Sequence, residues 1–287
     1  MKKALLLLLS DCHVGRWTGK FNLKVVGLQL RKVGQEVVNE IERDRLRIDE
    51  VVIGLIGDIV EGENVYPAQE HFLDYVKPDL LKSVFPYLEG LKETASAHCL
   101  IQTYLAAQFI FNEIVERVAW FDVKVRVVGV VGNHGRINRH HPEANADAWC
   151  YLLLKELCKK YENVDTSELT ADAFCVTTIK GQRVLFYHGH GIPIYHTLPF
   201  YGLQRRAMGW QASKVWGDLS LICIGHFHHC AFFNTCPPIV VNGAFLLDYL
   251  YPVEKLGMVS TAKQWLITLT ENGIDTLKLI DLEGDLG

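Results

Sequence analysis

Residues 5–13 read LLLLLSDCH, so an unbroken apolar run ends abruptly in polar residues. A short apolar run of this kind is typical of a strand that is buried on both faces, as in a parallel sheet. Because parallel strands end at one edge of their sheet, we expect the polar residues that follow such runs to meet there. Four later runs end in the same way, and they are 51–56 before Gly57-Asp58, 125–131 before Gly132-Asn133-His134, 184–187 before His188-Gly189-His190, and 221–224 before Gly225-His226-Phe227-His228.

Helical patterns separate the first of these runs. Residues 23–47 carry apolar side chains three and four positions apart, which predicts an amphipathic crossover helix. Residues 62–121 hold two further helical patterns, at about 79–97 and 101–119, and we interpret this segment as a helical insertion beside the strand ends. The alternating run over 264–280 has an Asn-Gly pair at its centre, which predicts a β-hairpin.

Composition narrows the class of protein. The chain has 287 residues, 49% of them hydrophobic, which suits a single α/β domain over 1–287. A net charge of −4 does not indicate a polyanion partner, so any basic surface must be local. The apolar start is short and lacks a signal-peptide cleavage site, and no run approaches the roughly 18 apolar residues of a membrane span. We therefore expect a soluble protein with no membrane partner.

The eight cysteines include no CxxC pair, and several lie inside apolar runs. This pattern favours reduced thiols and a cytoplasmic location. Cys12 lies between two polar strand-end residues, but alternation along an extended segment directs its side chain to the opposite face. We predict that Cys12 packs in the core.

The residue types at the strand ends indicate metal chemistry. Carboxylate oxygen and imidazole nitrogen together suit Mn²⁺, Fe²⁺ or Zn²⁺, whereas a cage made only of oxygen atoms would suit Mg²⁺ or Ca²⁺. The absence of cysteine from these motifs argues against a structural zinc site. A single short motif such as Asp-x-His is weak evidence. Five short motifs that contain Asp, Asn or His, each at a strand end, together predict a metal site.

The motifs from Asp11 to His228 resemble those of the calcineurin-like metallophosphoesterases. The resemblance implies an α/β fold in which a β-sandwich is flanked by helices, giving α-β-β-α layers. It also implies two divalent cations, for which we expect Mn²⁺ first and Fe²⁺ or Zn²⁺ as alternatives. Carried over residue by residue, the first cation would be held by Asp11, His13, Asp58 and His228, and the second by Asp58, Asn133, His188 and His226.

The same resemblance assigns catalytic roles. Asp58 would bridge the cations, and His134 would face the phosphate and either stabilise charge or protonate the leaving oxygen. The implied reaction is in-line attack by a hydroxide that bridges the two cations. His190 would contact either a ligand or the substrate. Because ligating histidines must be neutral, we expect metal binding to weaken at acidic pH.

A closer resemblance concerns the substrate. The SbcD-type DNA repair exonucleases and their phage-encoded relatives have a similar set of motifs. In two respects this chain departs from them: Gly135 stands where those nucleases usually have Asp, and the chain ends soon after the core, so no separate DNA-binding cap domain is expected. Glu61-Gly62 and Gly135 also differ from the Ser/Thr protein phosphatases. The segments that carry the resemblance are Ser10-Asp11-x-His13-x-Gly15, Gly57-Asp58-Ile59-Val60-Glu61 and Asn242-Gly243.

Basic residues near the motifs favour a polynucleotide. Arg136 and Arg139 follow the Asn-His pair, and we predict that they bind substrate together with His190. Residues 195–216 mix aromatic and basic side chains that could stack bases and follow a phosphate backbone. An amphipathic helix with its aromatic side chains turned inward explains the same segment equally well.

Three functions therefore stay open. The first is a nuclease that hydrolyses phosphodiester bonds in DNA, alone or with an ATPase partner. The second is a phosphodiesterase or phosphomonoesterase for nucleotides or other small molecules. The third, a non-catalytic interaction module, ranks last because none of the ligands is missing. A homodimer through the apolar faces of the 62–121 segment is a further expectation.

Overall fold

The computed structural model describes residues 1–67, 69, 73–92, 98–138, 141–194, 199–247 and 261–284, with only the backbone at 141–143. Thirteen strands form two larger sheets and one hairpin within these residues. The strands of the first sheet are β1 (Lys3–Leu9), β2 (Ile48–Ile56), β3 (Lys124–Val130), β6 (Val164–Asp165), β12 (Lys263–Thr270) and β13 (Gly273–Asp281). The second sheet contains β7 (Phe174–Ile179), β8 (Gln182–Tyr187), β9 (Leu221–Ile224), β10 (Ala231–Phe233) and β11 (Ile239–Val241), and the hairpin pairs β4 (Arg136–Asn138) with β5 (His141–Asn145).

Each sheet contains a block of adjacent parallel strands. The first sheet has the order β13-β12-β1-β2-β3-β6, and β1, β2, β3 and β6 run parallel. The second has the order β10-β11-β9-β8-β7, in which β8, β9 and β11 run parallel. The predicted polar residues thus follow parallel strands in both sheets.

Six α-helices lie outside the sheets in the part of the chain that is described. They are α1 (Leu23–Arg43), α2 (Pro78–Val84), α3 (Cys99–Ile110), α4 (Glu116–Ala119), α5 (Ala146–Cys158) and α6 (Phe200–Ser213). A π-helical turn at Phe111–Val115 joins α3 to α4, and a 3₁₀ turn at Pro86–Leu88 follows α2. The side chain of Asn22 caps α1 by accepting a hydrogen bond from the amide of Val25 at 3.0 Å.

Alternation along the strands builds four layers. Leu6 and Leu8 of β1 face the second sheet, where they share a buried cluster with Phe186 of β8. The intervening leucines face the helices, because Leu7 shares a cluster with Leu30 of α1. Helix α6 covers the outer face of the second sheet through residues such as Leu203 and Ala207. The predicted α-β-β-α sandwich is therefore confirmed.

Most predicted elements agree with the structure, and one helix does not. Helix α1, the helical pattern at 101–119 and the C-terminal hairpin are confirmed. The predicted helix over 79–97 was wrong, since α2 ends at Val84. Pro86 explains this end, because the residue before a proline is pushed out of helical geometry, and Phe85 has φ −127° and ψ 80°.

Residues 99–119 pack into the main core beside the first sheet. That 62–121 is an insertion in a single domain stays a prediction. None of the helices in the described ranges combines the length and apolarity that crossing a membrane requires.

Candidate metal centre

The predicted ligands meet at one edge of the sandwich, where β1, β2, β3, β8 and β9 end. Their side chains form three overlapping groups, and within each group the potential ligand atoms lie within 4.8 Å of one another. Asp58 belongs to two of the groups, as expected for a residue between two cations. The groups are Asp11, His13 and His228; His13, Asp58 and His134; and Asp58, His188 and His226.

Strained backbone geometry marks the same residues. Seven non-glycine residues in the described part of the chain have positive φ, and five of them are predicted ligands. A left-handed conformation costs a non-glycine residue on the order of 1 kcal/mol, so it persists only where the surroundings enforce it. The five are Asp11 (φ 53°), His13 (47°), Asp58 (49°), His226 (71°) and His228 (53°).

The ligand side chains approach one another closely. His188 Nε2 lies 3.0 Å from Asp58 Oδ2, and His228 Nε2 lies 3.3 Å from Asp11 Oδ1. His13 Nε2 is 3.2 Å from His228 Nε2. These nitrogen and oxygen atoms are turned toward common centres, which is the arrangement that a coordinated cation requires.

Buried polar atoms without hydrogen bonds test whether cations fit. One oxygen of each carboxylate is occupied, because Asp58 Oδ1 accepts from the amides of Asn133 and His134 at 2.7 Å. Asp11 Oδ2 likewise accepts from the amide of His226 at 2.9 Å. Buried polar atoms normally have partners, so atoms that lack them call for a ligand. Among the described residues, four buried ligand atoms have no hydrogen bond: Asp11 Oδ1, Asp58 Oδ2, Asn133 Oδ1 and His188 Nε2. The residues therefore fit divalent cations.

Charge interactions prepare the carboxylates for a cation. Burial opposes ionisation of Asp58, yet the neighbouring His188 and His134 hold the pKa of this carboxyl well below its usual range. Burial also opposes ionisation of Asp11, but His228 lowers its pKa. Burial disfavours the charged form of His188 too, but the Asp58 carboxylate raises the pKa of His188 to about 9. A proton on His188 and a bound cation thus compete for the same nitrogen.

Glu61 braces the first motif. His13 Nδ1 donates to Glu61 Oε2 at 2.7 Å, which leaves His13 Nε2 for a cation. His134 Nδ1 lies 3.5 Å from Glu61 Oε1, and Arg16 donates to the same oxygen at 3.4 Å. Glu61 was quoted in the sequence only as part of a resemblance, and its contacts with His13 and His134 were not predicted. Its position three residues after Asp58 was the available signal.

Asp147 braces two ligand loops at once. Its fully buried carboxylate accepts four backbone hydrogen bonds, at 2.9 to 3.1 Å, from the amides of residues 58, 59, 60 and 132. Burial raises the pKa of Asp147 to about 6. The close approach also needs Gly132, since a Cβ there would lie 2.1 Å from Asp58 Oδ1. Sequence reasoning missed Asp147, which lies at the start of α5 with no motif around it.

Tyr66 orients the Asn133 ligand. The Tyr66 hydroxyl accepts from Asn133 Nδ2 at 2.8 Å, so Asn133 Oδ1 is the atom turned toward the metal centre. The ring of Tyr66 lies 4.6 Å from that of His134. Arg136 donates to the Asn133 carbonyl at 2.8 Å and to the Tyr66 hydroxyl at 3.3 Å. Arg136 therefore lies beside the centre as predicted, whereas Arg139 lies outside the described residues.

His190 and Cys12 were also singled out in the sequence, and neither belongs to the three groups of potential ligand atoms. The exposed His190 ring lies 5.7 Å from the His188 ring and 6.5 Å from the His226 ring, between centroids. Desolvation by the protein that partly covers the ring, together with the nearby His188, lowers the pKa of His190 to about 4, so it is neutral near pH 7. Cys12 is fully buried in the cluster that faces the helices, which confirms its predicted place in the core.

The aromatic and basic segment at 195–216 divides into two parts. Trp210 and Trp216 turn inward, and their rings lie 5.9 and 5.1 Å from that of Phe174. Arg205 and Arg206 are exposed on the outer side of α6. Residues 195–198 lie outside the described part of the chain. For Trp210 the correct interpretation is thus the amphipathic helix with inward aromatic side chains, while Trp216 packs inward from beyond the end of α6.

Comparisons with known proteins found no family model and no curated protein that matches this chain. Solved structures do match. A predicted phosphoesterase from Streptococcus pneumoniae is 13% identical, with a TM-score of 0.36, over 98% of this chain and 99% of the other. Vps29 from Entamoeba histolytica, in complex with zinc, is 11% identical, with a TM-score of 0.38, over 97% and 99% of the two chains.

A putative 5′-nucleotidase from Staphylococcus aureus is 13% identical, with a TM-score of 0.38, over 99% of this chain and 55% of the other. Identities this low leave the function to be inferred from the geometry of the metal centre.

Proposed function

We propose that this protein is a dinuclear, metal-dependent phosphoesterase of the calcineurin-like type that hydrolyses phosphodiester bonds, with DNA as its substrate. One observation carries the proposal: four buried ligand atoms without hydrogen bonds converge at the ends of parallel strands. Carboxylate, amide and imidazole donors in this arrangement suit a pair of borderline cations, and we propose Mn²⁺.

When bound, the two cations would supply Lewis acidity toward the phosphoryl oxygens and toward water. The ligands would be Asp11, His13, Asp58, Asn133, His188, His226 and His228, with Asp58 between the cations. The chain's own groups orient this set. Glu61 turns His13 by accepting its Nδ1 hydrogen, and Tyr66 turns Asn133 by accepting from its amide nitrogen.

His134 is the proposed acid toward the leaving oxygen. Its side chain is grouped with His13 and Asp58, and its Nδ1 lies 3.5 Å from Glu61 Oε1. A carboxylate beside one ring nitrogen favours the protonated imidazole, which can then donate a proton from its other nitrogen. The partly buried Arg136 adds positive charge beside the centre and suits a phosphodiester anion.

Support for DNA comes from Arg136, which lies beside the centre, and from the exposed pair Arg205 and Arg206 on α6. The SbcD-like motifs add to that support. The inward packing of Trp210 and Trp216 favours the second candidate, a small phosphodiester, because it removes two predicted base-stacking residues.

The decisive experiment compares Mn²⁺-dependent hydrolysis of bis-p-nitrophenyl phosphate with that of labelled single- and double-stranded DNA. We expect His134→Ala to lower kcat by about 10² to 10⁴ on both substrates while the variant still binds metal. His98→Ala is the matched control, because His98 is 68% exposed. Hydrolysis of the small ester without any attack on DNA would support the second candidate, and inactivity toward both would overturn the proposal.

A further inference from the structure

Two aromatic side chains are unusually exposed near the metal centre. Trp17 is 47% exposed and Tyr75 is 67% exposed. They line a recess of about 100 Å³ together with Lys24, Lys77 and Leu80. Large aromatic side chains contribute strongly to binding when they are covered, so exposed ones that line a recess mark a binding surface.

The recess has a rigid floor. Arg16 pairs with Leu73 in an antiparallel bridge, and the amide of Asp74 donates to the Gly15 carbonyl at 2.8 Å. The nearly buried carboxylate of Asp74 then accepts from the amides of Leu23 and Tyr75, both at 2.8 Å. These bonds hold the Trp17 and Tyr75 segments side by side, which lowers the entropy lost when a ligand binds.

The recess lies next to the first motif along the chain. Arg16 donates to Glu61, which accepts the Nδ1 hydrogen of the ligand His13. Trp17 is four residues from His13, so their Cα atoms are at most about 14 Å apart. Stacked nucleotides advance about 3.4 Å each along a strand, so this is the reach of about four nucleotides.

The charge at the recess suits an anion with flat rings. Lys24 and Lys77 line it, and the exposed Lys20 lies nearby in the chain. The carboxylate of Asp74 is occupied by two backbone amides. The net charge of the chain is −4, so these lysines form a local positive surface. Aromatic rings that stack bases, beside cations that contact phosphates, are the means by which proteins bind single-stranded nucleic acid.

We propose that Trp17 and Tyr75, with Lys24 and Lys77, form a subsite that binds the single strand leading away from the scissile phosphate. This inference rests on the proposed function. It places base stacking at Trp17 and Tyr75, and not in the 195–216 segment, for which the sequence had left base stacking as one of two interpretations.

The test uses the full chain with Mn²⁺, a single-stranded oligothymidylate and bis-p-nitrophenyl phosphate. For Trp17→Ala and Tyr75→Ala we expect the ratio of kcat/KM on the oligonucleotide to that on the small ester to fall about tenfold each. Trp120→Ala is the matched control, because Trp120 is 77% exposed and lies at the end of α4. An unchanged ratio in both variants would overturn the subsite while leaving the proposed function intact.

Charge variants provide a second readout that does not depend on the rings. Lys24→Gln and Lys77→Gln should each reduce the slope of log Kd against log salt concentration by about 0.7, measured as oligothymidylate binding by fluorescence anisotropy. An unaltered slope in both would contradict phosphate contact at the recess. If the wild type hydrolyses neither substrate, the proposed function itself fails. Loss of self-association instead of oligonucleotide binding in Trp17→Ala would show that a second copy covers the recess, and would also overturn the subsite.

Discussion

The two sheets contribute to the metal centre in different ways. The loops that follow the strands of the first sheet supply both carboxylates and Asn133. Buried side chains hold these loops in place through hydrogen bonds. Asp147 holds four amides, Glu61 contacts His13, and Gln102 makes two hydrogen bonds with the backbone of Gly62. The second sheet supplies three imidazoles, and two of these residues are held by the first sheet.

His188 and His226 show this dependence. His188 Nδ1 donates to the Ile56 carbonyl of β2 at 2.7 Å, and the amide of His226 donates to Asp11 Oδ2. A buried carboxylate needs donors to offset its lost hydration, whereas a neutral imidazole needs far fewer. The difference teaches that the first sheet positions the residues of the centre, including His188 and His226, and that the second sheet adds imidazoles that depend on those contacts.

The largest expected effect comes from Asp58, the residue that we propose lies between the two cations. Asp58→Asn removes the negative charge and replaces one carboxylate oxygen with an amide nitrogen, so we expect bound metal to be lost and activity to fall by on the order of 10³ or more. Metal content can be measured by mass spectrometry after dialysis, and activity with bis-p-nitrophenyl phosphate.

Asp218→Asn is the control for that substitution, because the side chain of Asp218 is 74% exposed and pairs with Lys214 on the surface. Full metal content in Asp58→Asn would contradict the bridging role. Loss of metal in His188→Ala equal to that in Asp58→Asn would show that the two sheets contribute alike.

The next largest effect is expected at Asp147, whose carboxylate holds the two loops in place. Asp147→Ala leaves four amides without their acceptor, so we expect activity and metal affinity to fall about 10- to 100-fold. The free energy of unfolding should fall by about 3 kcal/mol in urea titrations, because buried amides lose their partner. Asp147→Asn keeps one carbonyl oxygen and should lose less of both. A variant that is destabilised but keeps its metal affinity would make Asp147 a folding residue only.

The candidate ligands could be predicted from sequence because each one lies within four residues of the end of a strand. The run at 5–9 predicts β1, and Asp11 and His13 lie at its end for that reason alone. The buried side chains that hold the ligand loops in place, such as Asp147, were not predictable in the same way. Asp147 accepts amides that are 15 and 87 to 89 positions away in the chain, and only the packing of α5 against the sheet edge brings them together.

The aromatic residues illustrate a second reason why part of the site could not be predicted from the sequence. A mixture of aromatic and basic side chains is the same in sequence whether the rings face a substrate or the core. Trp210 packs on Phe174 and Tyr187, while Trp17 is exposed. Only the folded position of each backbone decides whether its aromatic side chain faces the core or the surface.

A smaller effect is expected at Glu61. Glu61→Gln keeps an oxygen that can accept the His13 Nδ1 hydrogen but removes the charge beside His134. We expect kcat to fall about tenfold with little change in metal content, since the acid is affected more than the ligands. The measurement is kcat for bis-p-nitrophenyl phosphate together with a Mn²⁺ titration. A loss of metal equal to the loss of rate would assign Glu61 to ligand positioning alone.

The smallest effect is expected beyond the second sheet, on α6. Arg206 donates to the Gly191 carbonyl at 3.3 Å from an exposed position, so it braces the His190 loop weakly. Arg206→Ala should change the free energy of unfolding by less than about 0.5 kcal/mol and kcat for the small ester by less than about twofold. If KM for DNA rises severalfold while these values hold, α6 contacts the nucleic acid backbone even though Trp210 faces inward. If the small-ester kcat falls as far as it does in Asp147→Ala, the second sheet is braced as strongly as the first, and the contrast between them is lost.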